Sequence, residues 1–210
     1  MPLRLIALPL GPLETNCYLV IDDASHEAVI VDPGADAGRI QEALAAEGAR
    51  ASAIWLTHAH FDHVGAIADL HEAEPRPVLL HPDDQRLYDH ATVQAAAYGL
   101  MVRSPEAPTS PLAHGQTVRV GSHTARCLHT PGHAPGHVAF WFEEAGVVVA
   151  GDALFRGSIG RTDIAFADHD TLLRSIREQL LPLPDDTVVY PGHGPATTIG
   201  AERRGNPFLN

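Results

Sequence analysis

A short stretch of the sequence, THAHFDHVG at residues 57–65, concentrates side chains that can bind metal ions. It holds three imidazoles and one carboxylate, at His58, His60, Asp62 and His63. Crowded histidine and aspartate are poor formers of helices and strands, so local structure alone does not explain this spacing. The stretch directly follows an apolar run. We interpret the pattern H-x-H-x-D-H as part of a metal site rather than as a histidine-rich turn.

Three further apolar runs end in the same kind of side chain beside glycine or proline. His133 lies in the segment TPGH, Asp152 in the dipeptide GD, and His193 in the segment PGH. The sites of layered α/β folds gather at the carboxyl ends of their strands, so the strands would bring these ends together. We therefore expect the three side chains to lie near the histidines of residues 57–65.

The candidate ligands are too numerous for one metal ion. A zinc ion takes about four ligands, and a hydrolytic zinc keeps one position for water. The seven candidates match two ions that share a carboxylate, and imidazole with carboxylate suits zinc, iron or manganese. Two such ions can bind one hydroxide and polarise a carbonyl, so we predict hydrolysis. The candidates are His58, His60, Asp62, His63, His133, Asp152 and His193.

Three other residues near these motifs have weaker indications of a role. His137 follows a candidate ligand by four residues, and we expect it to support a ligand rather than bind metal, because the ligand set is already full. Arg156 and Arg161 lie in the segment FRGSIGRTD, and either could pair with a substrate carboxylate. The alternative for Arg161 is a contact with Asp163 that braces the backbone.

The pattern of apolar residues along the chain predicts an α/β fold. The order of elements, with strands at both ends and helices between them, suits two packed sheets with helices outside. Residues 103–116 are rich in proline, and we expect a long loop that could lie over the site. Tyr98 could also touch a substrate, although surface packing is the simpler interpretation. The predicted strands and helices are strands at 3–9, 16–22, 27–32, 52–57, 78–80, 117–121, 123–129, 137–143, 146–151 and 187–190, and helices at 36–47, 63–73, 170–181, from Pro82, and in part of 94–101.

Length and composition are those of one globular domain spanning residues 1–210. The chain has 45% apolar residues and a net charge of −12. This negative charge repels phosphate backbones, so we expect no nucleic-acid partner, and no apolar run approaches the roughly 18 residues that span a membrane. The proline-rich N-terminus does not resemble a signal peptide, and two cysteines without a C-x-x-C motif fit a reducing cytoplasm.

The motifs THAHFDH, TPGH, GD and PGH together resemble those of the metallo-β-lactamase superfamily. The resemblance implies a four-layer αββα sandwich with a dinuclear centre at the strand ends between the two sheets. Zinc is the expected metal, with iron or manganese as alternatives. Carried over by motif, the first ion would bind His58, His60 and His133, the second would bind Asp62, His63 and His193, and Asp152 would bridge them.

Longer stretches resemble one branch of that superfamily, the glyoxalase II group of hydroxyacylglutathione hydrolases in its short bacterial form. These stretches are TPGHAPGHVAF, GDALFRGSIGRTD and PGHGPATTIGAERRGNPF. The implied reaction is hydrolysis of the thioester S-D-lactoylglutathione to glutathione and D-lactate. A metal-bound hydroxide would attack the carbonyl, and Asp62 could handle a proton. Only 17 residues follow His193, so we expect the helical C-terminal domain that helps hold glutathione in full-length enzymes to be absent.

Related branches provide alternatives to this function. Persulfide dioxygenases share the GRTD segment but use a single iron ion, held by the equivalents of His58, His133 and Asp152. Another hydrolase of the same fold, such as a lactonase, is also compatible with the motifs. Zinc-dependent β-lactamases fit less well, because they usually carry a signal peptide and many have cysteine where this chain has Asp152. Metal content together with oxygen uptake on glutathione persulfide separates the dioxygenase from the hydrolase.

Overall fold

Fourteen strands form two six-stranded sheets and one small hairpin in a computed structural model that describes residues 2–209. The first sheet contains, in spatial order, β1 (Leu3–Leu10), β2 (Thr15–Asp22), β3 (Glu27–Val31), β4 (Arg50–Trp55), β5 (Val78–Leu80) and β6 (Ser110–Pro111). The second contains β7 (Thr117–Val120), β8 (His123–His129), β9 (Val138–Phe142), β10 (Val147–Gly151), β13 (Val188–Pro191) and β14 (Thr197–Thr198), and β11 (Leu154–Phe155) pairs with β12 (Ser158–Ile159).

The pairing explains which strands are flanked by helices. Strands β1 to β3 form the predicted antiparallel meander, whereas β3 to β6 run parallel and are joined by crossovers that contain helices. In the second sheet β7 to β10 are antiparallel, and β13 then pairs parallel with β10. The helices are α1 (Ala37–Ala46), α2 (Phe61–Val64), α3 (Ile67–Ala73), α4 (Gln85–Asp89), α5 (Ala91–Ala97), α6 (His169–Ser175) and α7 (Ile199–Gly205).

Apolar side chains fill the space between the sheets and the space beneath the helices. Trp55 of β4 contacts Phe140 and Phe142 of β9, with ring centroids 5.2 and 6.2 Å apart. Its neighbour Ile54 belongs to the cluster under the helices that includes Ile40 of α1, because side chains alternate along a strand. A third cluster joins α6 and α7 to the outer face of the second sheet. The predicted four-layer αββα sandwich is therefore confirmed.

Several local predictions differ from the structure. The helix predicted at 63–73 is interrupted after α2, where the Ala66 amide donates to the Pro33 carbonyl at 2.9 Å instead of to a carbonyl of the same helix. Asp36 precedes α1 with φ of 53° and makes no side-chain capping bond among the described residues; its carboxylate accepts from the Gly11 amide instead. Strand β14 and helix α7 were not predicted.

The proline-rich segment 103–116 is tied to the edge of the first sheet. Its residues Ser110 and Pro111 form β6, which pairs parallel with β5, and Leu112 N donates to the Leu80 carbonyl at 3.0 Å. Part of the segment predicted as a loop is therefore a strand. In the described part of the chain, no helix combines the length and apolar character needed to cross a membrane.

Candidate metal centre

Three histidines form one group at the end of β4 and in the turn after β8. One ligand atom each of His58, His60 and His133 lies within 4.8 Å of the other two. The closest approach is 2.9 Å, between His60 Nδ1 and His133 Nε2. His58 is fully buried, whereas His60 and His133 line the cavity above the site. This group could hold one metal ion.

A second group lies beside the first and combines one carboxylate with two imidazoles. Asp62 and His63 stand on the short helix α2, and His193 follows β13. The Asp62 Oδ2 atom lies 3.6 Å from His63 Nε2 and 3.3 Å from His193 Nε2. This arrangement could hold another ion.

The Asp152 carboxylate, at the end of β10, lies between the two groups. Its Oδ1 is 3.5 Å from His63 Nε2, while its Oδ2 is 3.5 Å from His133 Nε2 and 3.6 Å from His193 Nε2. No other candidate ligand has separate oxygens directed at both groups. The position fits a carboxylate shared between two ions.

Hydrogen bonds on the far side of three rings, those of His58, His133 and His193, aim the inner nitrogen at the centre. The single hydroxyl proton of Thr57 is donated to Asp32, at 2.6 Å, so His58 Nδ1 must donate to the Thr57 oxygen, 3.1 Å away. His133 Nδ1 likewise donates to the Arg161 carbonyl at 2.8 Å, and His193 Nδ1 donates to a backbone carbonyl. Each of these bonds leaves Nε2 facing inward, which is how metal-binding histidines are held.

Buried polar atoms at the centre test whether these residues suit metal ions. Among the described residues, His58 Nε2, His63 Nε2 and Asp152 Oδ1 have no hydrogen-bond partner. A buried polar atom without a partner costs about 1–3 kcal/mol, and a bound cation removes that cost. Nitrogen and oxygen donors suit divalent zinc, iron or manganese. The donor set therefore fits divalent metal ions.

Sequence reasoning missed Asp32, which supports the centre from the end of β3. Its buried carboxylate accepts from the Thr57 amide at 2.8 Å, from the Thr57 hydroxyl, and from His63 Nδ1 at 3.0 Å. The signal was present, because Asp32 follows an apolar strand and precedes Pro33-Gly34 in the manner of the other candidates. Applying the same pattern to every strand end would have found it.

His137, Arg156 and Arg161, which had weaker sequence indications, differ in their position relative to the centre and its cavity. His137 is fully buried and belongs to none of the ligand groups in residues 2–209; its Nε2 accepts from the Asp152 amide at 3.0 Å, as expected of a supporting residue. Arg161 lines the cavity and also pairs with Asp163 through bonds of 2.8 and 3.0 Å. Arg156 donates to the Ala196 carbonyl and is not among the residues that line this cavity.

A cavity of about 310 Å³ opens above the candidate ligands. Helix α5 and the residue after it provide one wall, through Gln94, Ala97 and Tyr98, and none of residues 103–116 lines it. Leu13 and Phe61 also line it. A small molecule entering this cavity would reach both ligand groups.

The two groups differ in charge when no metal is bound. Burial lowers the pKa of His58 well below its usual range, and burial together with His133 lowers that of His60 to about 3, so both are neutral. Burial also disfavours charge on His63, but Asp62, Asp152 and Asp32 outweigh it and raise its pKa to about 10. Burial is likewise outweighed at His193, where Asp62 and Asp152 raise the pKa.

We expect zinc binding to the metal-free protein at pH 7 to release about one proton or more, because His63 must lose its proton before Nε2 can bind. The affinity of this group should fall about tenfold for each unit of pH lowered below the pKa of His63. An ion that binds His58 and His60 should release no proton from these two rings, because both are already neutral. Calorimetric titration in buffers of different ionisation enthalpy measures the release, and zero release for all bound ions would contradict the charge assignment.

Asp84 joins the two loops that carry the first ligand group. The fully buried carboxylate accepts from the Ala59 amide at 2.9 Å and from the Gly136 amide at 2.5 Å. Ala59 lies between two candidate ligands, and Gly136 lies three residues after His133. Burial raises the pKa of Asp84 to about 6, although both amides favour its charged form. The residue holds the loops in register without touching the centre.

Replacing Asp84 with asparagine should weaken metal binding about 10- to 100-fold, the usual effect of losing a supporting contact. The asparagine NH₂ group would face one of the two amides, so one loop would lose its acceptor. Competition with a chelator of known affinity measures the change. The matched control is Asp89→Asn, whose side chain is exposed and lies in none of the possible ligand groups of the described residues, and which should bind metal as the wild type does. Equal affinities in both variants would show that the loops do not depend on Asp84.

Comparisons with known proteins agree with this centre. A family model described as the metallo-β-lactamase superfamily matches residues 10–193. The hydroxyacylglutathione hydrolase GloC of Haemophilus influenzae is 38% identical over 205 residues, which cover 97% of this chain and 96% of that protein. The crystal structure of TTHA1623 in a di-iron-bound form is 47% identical, with a TM-score of 0.91, and the match covers 97% of this chain and 100% of that one.

A further solved structure, that of BLEG-1, is described as a B3 metallo-β-lactamase. It is 41% identical to this chain with a TM-score of 0.92, and the match covers 98% of this chain and 99% of that one. The family model spans most of the chain and includes all seven candidate ligands. The chain therefore belongs to the metallo-β-lactamase superfamily.

Proposed function

We propose that the protein is a metal-dependent thioester hydrolase and that its substrate is S-D-lactoylglutathione, which it cleaves to glutathione and D-lactate. The observation that carries the proposal is the Asp152 carboxylate, whose oxygens lie 3.5–3.6 Å from imidazoles of both ligand groups. Two ions held there supply a hydroxide nucleophile at neutral pH. His58, His60 and His133 would hold one ion, and Asp62, His63 and His193 the other.

The role of Asp62 follows from its surroundings. Thr15 Oγ1 donates to Asp62 Oδ2 at 2.8 Å, which fixes the carboxylate toward the cavity that it lines. Burial would raise the pKa of Asp62, but His63, His193 and Thr15 outweigh it and keep the carboxylate ionised. An ionised carboxylate at this position could accept a proton from the nucleophile. The thiolate leaving group needs little help from an acid.

Similar proteins support the proposal in two respects. GloC, with 38% identity over nearly the whole of both chains, is described as a hydroxyacylglutathione hydrolase. TTHA1623 is described in a di-iron-bound form, so a protein 47% identical to this one holds two metal ions. Zinc and iron are the two ions to be compared, and the expected partner is a small glutathione conjugate in the cytoplasm.

The test is an assay of purified protein with S-D-lactoylglutathione, followed by thiol release, with elemental analysis of the same sample. We expect turnover with a kcat within the common range of about 1–10³ s⁻¹ and close to two metal ions per chain. Asp62→Asn should retain the fold but lose most turnover. Absence of thiol release from a sample loaded with zinc and from one loaded with iron would refute the proposal.

Two other activities are tested in the same sample. BLEG-1 is described as a B3 metallo-β-lactamase, so hydrolysis of a cephalosporin is measured beside the thioester. Persulfide dioxygenation is the alternative raised by the GRTD segment, and it predicts one iron per chain with oxygen consumed on glutathione persulfide. A higher kcat/KM for the cephalosporin or for glutathione persulfide than for the thioester would refute the proposed function in favour of that activity.

A further inference from the structure

Exposed large apolar side chains are concentrated around the candidate metal centre. Residues 2–209 contain six of them, and five line cavities that each include a candidate ligand. These five are Leu13, Tyr98, Met101, Phe166 and Phe208, which are 37–98% exposed. Soluble proteins rarely gather exposed apolar surface without a ligand or partner to cover it. The position of these residues indicates a ligand that reaches the centre.

One part of this apolar surface continues away from the centre past Leu13 and Phe61. Phe61 contacts Tyr98 with ring centroids 5.1 Å apart, and both line the cavity above the ligands. Beyond Leu13 and Phe61 lies a second cavity of about 100 Å³, lined mainly by apolar residues that include Leu100 and Met101. The two cavities share Leu13, Phe61 and the ligand Asp62. An apolar chain could therefore extend from the centre to Met101.

A different groove, of about 440 Å³, begins at two of the same ligands and combines hydrogen-bonding side chains with the apolar residues Phe155, Ile159 and Phe208. It includes Asp152 and His193, and hydroxyl, guanidinium and imidazole groups line it at Ser158, Arg161 and His169. Such groups suit the carboxylates and amides of a peptide-like thiol. The centre therefore lies between a cavity whose far end, beyond Leu13 and Phe61, is apolar and a groove that offers several hydrogen-bonding groups. A thioester also has one arm on each side of its carbonyl.

Resting on the proposed thioester hydrolysis, we infer that the apolar cavity lined by Leu13, Phe61 and Tyr98 receives the acyl arm, and that the enzyme prefers thioesters whose acyl groups are more apolar than lactoyl. The thiol carrier then occupies the groove, where Ser158, Arg161 and His169 can bind its polar groups. Burial of apolar surface supplies the preference: each methylene moved from water into the cavity should raise kcat/KM about two- to fourfold until the cavity is filled. Leu13, Tyr98 and Met101 are the residues that determine this specificity.

The test is a series of glutathione thioesters with acetyl, lactoyl, butanoyl and hexanoyl groups, assayed below their aggregation limits by thiol release. We expect the ratio of kcat/KM for hexanoyl to that for acetyl to be about 10 or more in the wild type. Leu13→Ser and Tyr98→Ser should each lower this ratio severalfold, and Tyr98→Phe should preserve it. Leu13 holds His193 through its backbone carbonyl, so its side chain can be changed without removing that bond.

Val93 provides the matched control, because it is 65% exposed on α5 and lies outside both apolar cavities. Val93→Ser should leave the ratio unchanged. A flat series in the wild type, or a ratio that neither serine variant lowers, overturns the inference while lactoylglutathione turnover leaves the proposed function standing. The inference is also overturned if the serine variants lower the hexanoyl-to-acetyl ratio only when their oligomeric state, measured by light scattering, differs from that of the wild type. Failure to hydrolyse any thioester removes the proposed function itself.

Discussion

Replacing Asp152 with alanine is expected to lower thioester hydrolysis by more than about 100-fold, which exceeds the loss from removing a supporting contact. The carboxylate lies between the two ligand groups, so its loss weakens both positions together. Thiol release under saturating metal measures activity, and equilibrium dialysis measures the bound ions. We expect fewer than two ions per chain and reduced affinity for those that remain.

The control for this variant is Asp170→Ala, which removes one negative charge from the exposed first turn of α6. It should change neither the metal content nor the turnover. Full turnover by Asp152→Ala with two bound ions would refute the assignment of Asp152 as the shared ligand. Equal losses in both variants would indicate a nonspecific effect of charge.

Replacing Asp32 with asparagine is expected to lower the free energy of unfolding of the metal-free protein by about 1–3 kcal/mol, because His63 loses a buried charged partner while Asp62 and Asp152 still face it. Without metal, His63 carries a buried positive charge 3.0 Å from the Asp32 carboxylate. Asparagine removes the negative charge but tolerates the left-handed backbone at this residue, where φ is 53°. Urea denaturation of the metal-free variants measures the change.

The sequence offers a close control for this variant four residues further on. Asp36 has the same φ of 53° but is exposed, so Asp36→Asn should change stability by about 0.5 kcal/mol or less. A stability loss of the same size in both variants would assign the effect to the backbone rather than to the ion pair. Metal affinity of Asp32→Asn should also fall about 10- to 100-fold, because His63 loses its orienting partner.

The strand ends were the most predictable part of the protein. His58, Asp152 and His193 each follow a strand whose apolar run is visible in the sequence, and parallel pairing of β10 with β13 places two of those ends side by side. Asp32 carries the same signal, because it follows an apolar strand and directly precedes Pro33-Gly34. Patterns next to strands thus predicted the candidate site better than residue type alone.

The remaining misses depend on contacts between distant residues. Strand β14 has only two residues, and it exists because Thr197 and Thr198 pair with β13. The Asp84 carboxylate matters because it reaches amides 25 and 52 residues away in sequence, which no local pattern encodes. The position of α5 at the cavity also depends on a distant contact, the packing of Tyr98 on Phe61, so the sequence indicates a helix and a candidate tyrosine but not the wall that they form.

The candidate ligands come from both sheets: the loop after β4 carries four of them, and the ends of β8, β10 and β13 carry the rest. Ions held by all of them would cross-link the halves of the sandwich at one rim. Folding would then be linked to the concentration of free metal by mass action. The free energy of unfolding would rise by about 2.7 kcal/mol when the free ion concentration is 100 times its dissociation constant. In a metal-starved cell the same chain would open and be degraded more often, so its abundance would follow the metal supply.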